Sequence, residues 1–205
     1  MSHVLDTRSA KLRDKMRIIN IQALRLAAEK LGLVMKSAEE LECEPHKGTY
    51  MGYKTEMGRL ANDWPMPEGW TLEELEQNAD YVISLSDQQK EAYMGISASN
   101  RTVFTKHSRK FYEIGIVWDA KEKAWFPHFD FAEAGGRALQ HFAGEVKREN
   151  YEVVSSLGTL MNWYHGFCDK LRAEELGEIC ELEAGEKGEV ISYIYEKEVE
   201  KSKLH

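Results

Sequence analysis

"YEIGIVWDAKEKAWFPHFDF", residues 112–131, reads as two apolar, aromatic-rich strands joined by a charged turn at residues 119–123. Val, Ile, Tyr, Phe and Trp crowd both arms, and these side chains suit a pleated, half-buried surface. A hairpin is expected. If Trp118 stands opposite Ala124 across the turn, Ile114 faces His128 and Tyr112 faces Asp130. His128 and Asp130 lie two apart in one strand and so share a face, a spacing that could bring an imidazole and a carboxylate to one metal ion or proton relay. In this register their neighbours are apolar or phenolic and no third ligand is at hand. A Tyr112–Asp130 hydrogen bond at the end of the sheet explains the pair more simply.

Working outward, "EICELEAGEKGEVISYIYEK" (residues 178–197) closes the chain as a second hairpin, two alternating strands about the Gly-bounded turn "AGEKG". "LVMKS" (33–37), "TYMGYKT" (49–55) and "ADYVISLS" (79–86) read as further strands, and residues 2–16 as a first strand of uncertain length. "NIQALRLAAEKLG" (20–32) is a helix: Asn20 caps it, Ile21, Leu24, Ala27, Ala28 and Leu31 fall on one face, and Gly32 stops it. Helices are also expected over residues 137–147, where Leu139, Phe142, Ala143 and Val146 recur at helical spacing, and over residues 153–176, the longest. "DQQKEAYMGISASNRTVFTKHSR" (87–109) reads as a polar connection with room for a short strand near residues 102–104. Residues 56–78, holding "NDWPMPEGW" and a short helix capped by Thr71, have the texture of an insertion. Strands that come mostly as hairpins, with helices toward the front and back, describe an α+β fold: an antiparallel or mixed sheet with helices packed on one face. The regular strand–helix alternation and Gly-rich first turn of a doubly wound fold are missing.

A chain of 205 residues, 42% of them apolar, can bury a real core, and this length suits a single α+β domain over residues 1–205 with the insertion at 56–78. The net charge of −8 opposes a sequence-independent grip on nucleic acid, because phosphate neutralisation needs a basic surface. The densest basic run, "TKHSRKFY", is short and reads as a solvated loop. Cys43, Cys168 and Cys180 are odd in number and far apart, so neither a disulfide framework nor a C-x-x-C motif is available. With no apolar leader in "MSHVLDTRSAKLRDK" and no long apolar run, the expectation is a soluble, cytoplasmic protein without membrane contact.

Read in order, "MSH", "IQALRLAAEKLG", "YMGY", "ADYVI" and "FYEIGIVWD" resemble a small family of bacterial, cyanobacterial and plastid proteins known as hypothetical chloroplast open reading frame thirty-five. In that family an MSH strand leads to a helix ending in Leu-Gly, a Gly-Tyr strand, an Ala-Asp-Val-Ile-type strand, a Tyr-Asp-Ile-Gly strand, a helix and a closing hairpin. Here Glu113 stands where the family has Asp, and residues 56–78, residues 87–110 and the helical region after Gly136 are longer. The resemblance implies a single α+β domain; no catalytic residue is assigned in the family, so none carries over.

Chemistry-bearing candidates are few. His141 with Glu145, and His165 with Asp169, are spaced i, i+4 on expected helices, each pair able to offer two ligands to a divalent ion or to lie solvated on a helix surface. Cys168 follows His165 by three residues and could be activated by it, or be plain core. No G-x-S-x-G, P-loop, G-x-G-x-x-G, H-E-x-x-H or E-x-x-H signature is present, and no metal or cofactor is expected. Five tryptophans and nine tyrosines remain, with Trp64 and Trp70 flanking a proline-rich stretch. Exposed Trp and Tyr anchor partners or stack on flat ligands; the same stretch could instead fold back as a lid over the sheet. The expected function is a non-catalytic binding protein, holding a partner protein or small ligand through Trp64, Trp70, Tyr112, His128 and Asp130. The alternative is a metal-assisted hydrolase in which His128, Asp130, His141 and His165 converge.

Overall fold

A computed structural model of the chain describes residue 12 and residues 14–37, 39–40, 80–99, 113–128, 133–145, 147–149, 152–185 and 189–196. Among the described residues four helices, α1 (Ile21–Lys30), α2 (Asp87–Ser99), α3 (Glu133–Ala143) and α4 (Gly158–Glu175), accompany eight strands: β1 (Leu33–Ser37), β2 (Tyr81–Leu85), β3 (Ile114–Asp119), β4 (Ala124–His128), β5 (Lys147–Glu149), β6 (Glu152–Ser155), β7 (Glu178–Ala184) and β8 (Val190–Glu196). β1 to β4 form one antiparallel sheet in chain order, and β5–β6 and β7–β8 are separate antiparallel ribbons. The fold is α+β.

The hairpin of residues 112–131 forms, in a register one residue from the expected one. Asp119 pairs with Ala124, Trp118 with Trp125 and Gly115 with His128. The cause lies in the turn. Asp119 Oδ1 accepts hydrogen bonds from the backbone N–H groups of Lys121 (2.9 Å) and Glu122 (3.1 Å), and Lys123 takes a left-handed conformation at φ 50°, so four residues close the loop instead of five. Because strands alternate with period two, a one-residue slip exchanges the faces of one arm relative to the other. One face of the sheet (Leu33, Met35, Ile83, Leu85, Ile114, Ile116) joins Leu24, Ala27 and Ala28 of α1, Leu139 and Ala143 of α3, and Leu160 and Tyr164 of α4 in the main core. Val82, Val117 and Phe126 on the other face are buried as well.

Helix α1 follows the expected logic. Asn20 Oδ1 accepts from Ala23 N at 3.0 Å, Ala23, Leu24, Ala27 and Ala28 are buried, and Gly32 ends the helix at φ +70°. Of the first strand expected over residues 2–16, residues 2–11 and 13 lie outside the described residues; residues 14–16 form a 3-10 turn, and Ile18 just after it bridges to Trp125 with both hydrogen bonds near 3 Å.

Three expected boundaries move. The stretch expected as a polar connection opens with α2, whose start is a reciprocal cap: Gln89 N donates to Ser86 Oγ (3.3 Å) while Ser86 N donates to Gln89 Oε1 (3.2 Å). The same Gln89 side chain donates to the Leu31 carbonyl at 2.7 Å, tying α2 to the end of α1. Helix α3 runs through Gly135 and Gly136 from Glu133 and stops at Ala143, because Gly144 turns at φ +114° against the first residues of α4; Lys147 lies in β5. Residues 152–155, with adjacent Val153 and Val154, are strand β6, so the longest helix starts at Gly158 after Leu157 in a left-handed turn. The expected strand at 49–55, the insertion at 56–78 with its helix, and the short strand near 102–104 lie outside the described residues.

Helix α4 is the pivot between the sheet and the closing ribbon, packing against both α1 and β7–β8. Toward α1 it sends Tyr164, whose hydroxyl oxygen accepts from Ile19 N at 2.9 Å and Asn20 N at 3.4 Å. Toward the ribbon it offers Gly166, where an added Cβ would sit 2.7 Å from Val190 Cγ1 and 3.4 Å from Leu182 Cδ2, so glycine sets the close approach. Ser192 Oγ of β8 also donates to Asp169 Oδ2 of α4 at 3.0 Å.

Candidate functional site

Of the expected site residues, Trp64, Trp70, Tyr112 and Asp130 lie outside the described residues, and His128 is placed by backbone alone, at the end of β4 opposite Gly115. The pairing of Ile114 with His128 is corrected by the register: Ile114 pairs with Ile83 of β2. Glu145 falls beyond the end of α3, so His141 and Glu145 do not share a helix face. His141 is exposed, its ring edge-on to Phe142 at 4.8 Å and tilted against Tyr93 at 5.9 Å. His165 and Asp169 do both sit on α4, with Asp169 bound to Ser192. Among the described residues no three His, Cys, Asp or Glu side chains group as a metal site.

Cys168 is half-buried on α4 beside Tyr164. Burial pushes its thiol pKa up, the hydrogen bond from the Tyr164 hydroxyl pulls it down and the Asp169 carboxylate pushes it up; the net is a rise. A thiol held protonated is a poor nucleophile, which places Cys168 with the core. Tyr164 is buried and its pKa is pushed up to about 12, chiefly by desolvation, against which the backbone N–H of Ile19 acts. Its hydroxyl is a strut between α4 and the start of α1.

The described chain exposes its large apolar side chains most densely on the β7–β8 ribbon. Strand β8 carries apolar residues at both parities, so each face of the ribbon needs cover and α4 supplies it for one. Cys180, Leu182 and Val190 turn toward α4 and the core. The outward face pairs Ile179 with Tyr195, Glu181 with Tyr193 and Glu183 with Ile191, and its four large apolar side chains are between 38% and 45% exposed. The neighbouring Glu181 carboxylate is the leading cause that pushes the Tyr195 pKa up to about 12. Neither edge of the ribbon is paired among the described residues.

Beside β7 lies a cleft of about 390 Å³ between ribbon, α1 and α4. Trp163 and Phe167 supply apolar wall, Lys30 and Lys170 stand on the helix side, and Glu181 and Glu183 on the ribbon side. The Lys30 ammonium sits 4.9 Å from the centre of the Trp163 ring, within cation–π range. The arrangement offers contact area and fixed charge. It offers no nucleophile–base pair.

The ribbon was legible as a hairpin and missed as a surface. The missed signal is "VISYIY": apolar residues fall on both parities of the strand, with Ser192 the one polar position, so both faces of the ribbon carry apolar side chains. No helix among the described residues is long and apolar enough to cross a membrane. Comparison with protein families, with curated proteins and with solved structures finds no match.

Proposed function

We propose that this chain is a non-catalytic binding protein that holds a partner protein on the outward face of the β7–β8 ribbon. The observation that carries the reading is the cluster Ile179, Ile191, Tyr193 and Tyr195, large and exposed on one side of a ribbon whose other side packs on α4 through Cys180, Leu182 and Val190, with Ile194 its one exposed large apolar side chain. Contiguous apolar surface rimmed by polar groups marks interaction sites, and tyrosine is enriched there because it brings area at low rotamer cost. Free strand edges add backbone donors and acceptors that an extended segment can pair with. The close packing at Gly166 supports the face as a rigid platform. The protein works in the cytoplasm in this reading, where its cysteines stay reduced. Its kinship with the hypothetical chloroplast open reading frame thirty-five family is part of the same proposal, resting on the ordered patches "IQALRLAAEKLG", "ADYVI" and "FYEIGIVWD".

The test is crosslinked capture from the host extract with the wild-type chain, an Ile191→Lys/Tyr193→Lys variant, and an Ile19→Lys control that changes a still more exposed apolar residue elsewhere. A partner lost from the ribbon variant and kept by the control is the expected result. A partner retained undiminished by the ribbon variant would remove the ribbon from its role.

A further inference from the structure

The outward face of the ribbon is acidic as well as apolar. In register, the β7 row reads Ile179, Glu181, Glu183 and the β8 row reads Tyr195, Tyr193, Ile191, so each carboxylate stands across from an apolar or aromatic side chain. The described residues of the ribbon hold five glutamates, at 178, 181, 183, 189 and 196, and no lysine or arginine. Glu181 and Glu183 also border the cleft that Lys30 and Lys170 line, but among the described residues none of the five carboxylates is in an ion pair with a basic side chain. The chain as a whole carries −8, so its field adds to the local one.

We infer, resting on the ribbon as the docking face, that its occupant is a basic, extended protein segment in which lysine or arginine alternates with apolar residues. On such a segment successive side chains point to opposite sides, so the half that meets the ribbon is a repeating row. Its cations lie over the Tyr193 ring and against Glu181 and Glu183, and its apolar groups cover Ile179 and Ile191. A cation over a tyrosine face is attracted by the ring and by the neighbouring carboxylate together, and arginine suits both through its planar, weakly hydrated head. Charge decides against the two competing occupants. A second copy laid on this face brings carboxylates against carboxylates, and a nucleic acid brings phosphates.

The experiment uses the full chain, labelled at isoleucine methyl and tyrosine ring positions, and titrates it by NMR with a short synthetic peptide of alternating arginine and valine, and with the same peptide carrying glutamate for arginine. The arginine peptide is expected to shift Ile179, Ile191 and Tyr193, the glutamate peptide to shift none of them. A Glu181→Gln/Glu183→Gln variant, changed only at exposed positions and checked for an unaltered melting temperature, is expected to bind the arginine peptide roughly fivefold more weakly, what two exposed ion pairs supply. Equal binding of both peptides at the ribbon would overturn the basic partner and leave the docking face standing. Shifts confined to residues outside the ribbon, or none with either peptide, would overturn the inference, as would sedimentation showing that the chain dimerises through the ribbon; the capture experiment decides the docking face separately.

Discussion

The four-stranded sheet and the closing ribbon are built from the same kind of sequence, short apolar strands joined by polar turns, and they end in opposite surface states. In the sheet Ile83, Ile114 and Ile116 sit in the main core while Val82, Val117 and Phe126 are buried on the other face. In the ribbon one face lies on α4 through Cys180, Leu182 and Val190, with Ile194 exposed, and the other holds Ile179, Ile191, Tyr193 and Tyr195 toward solvent. Strand composition therefore does not set exposure; the number of layers that reach each face does. A doubly buried strand contributes stability through both sides, and a singly buried one leaves a side free for recognition.

Breaking the sheet side should have the largest effect. Ile83→Ala removes a fully buried side chain from a central strand and should cost about 2–5 kcal/mol in urea unfolding. A loss below about 1 kcal/mol would erase the distinction between sheet and ribbon.

Next comes the link between the two regions. Tyr164→Phe deletes the buried hydroxyl that accepts from Ile19 N and Asn20 N, leaving two part-buried donors without this partner, and should cost about 1–2 kcal/mol. Its pH dependence sharpens the point. The folded pKa of Tyr164 is raised from 10.0 to about 12, so its contribution is complete below pH 10 and disappears as pH rises through 12. Two units correspond to a change of about 2–3 kcal/mol. The stability difference between wild type and Tyr164→Phe should shrink between pH 9 and pH 12 in chemical denaturation; a constant difference would mean the phenol is not buried against these donors. Asn20→Ala should follow at about 1 kcal/mol, by loss of the α1 cap, in the same assay.

The smallest effect on stability belongs to the ribbon. Tyr193→Ser and Ile191→Ser should each change the unfolding free energy by about 0.5 kcal/mol or less, as exposed substitutions do. A cost near that of Ile83→Ala would show that a further layer covers this face in solution.

Legibility followed how local the deciding interaction is. Helix α1 could be read entirely, because its cap, its buried stripe and its glycine stop all lie within residues 20–32. Helix α2 leaves one legible trace, "SDQQ" at 86–89 with its reciprocal capping pair of Ser and Gln, while the polar texture after it conceals the helix. The start of α4 went the other way, helical spacing being read through Val153 and Val154, whose branched side chains suit the strand they form. As for the site, the expected Trp64, Trp70, Tyr112 and Asp130 fall outside the described residues. The ribbon's outward face was within reach of the sequence as a strand apolar at both parities.

The sequence by itself determined the α+β class, the two hairpins and the capped helix α1, because alternation, turn residues and caps act within a few residues of one another. The register of the 114–128 hairpin was set by a local device as well, the four-residue turn that Asp119 stabilises, although alternation alone left it one residue open. Only the tertiary structure decided which strand faces are covered, since that depends on where α4 lies, held by Tyr164 at one side and by the close approach at Gly166 on the other. Burial is a property of neighbours brought together across long stretches of chain, and no local pattern carries it.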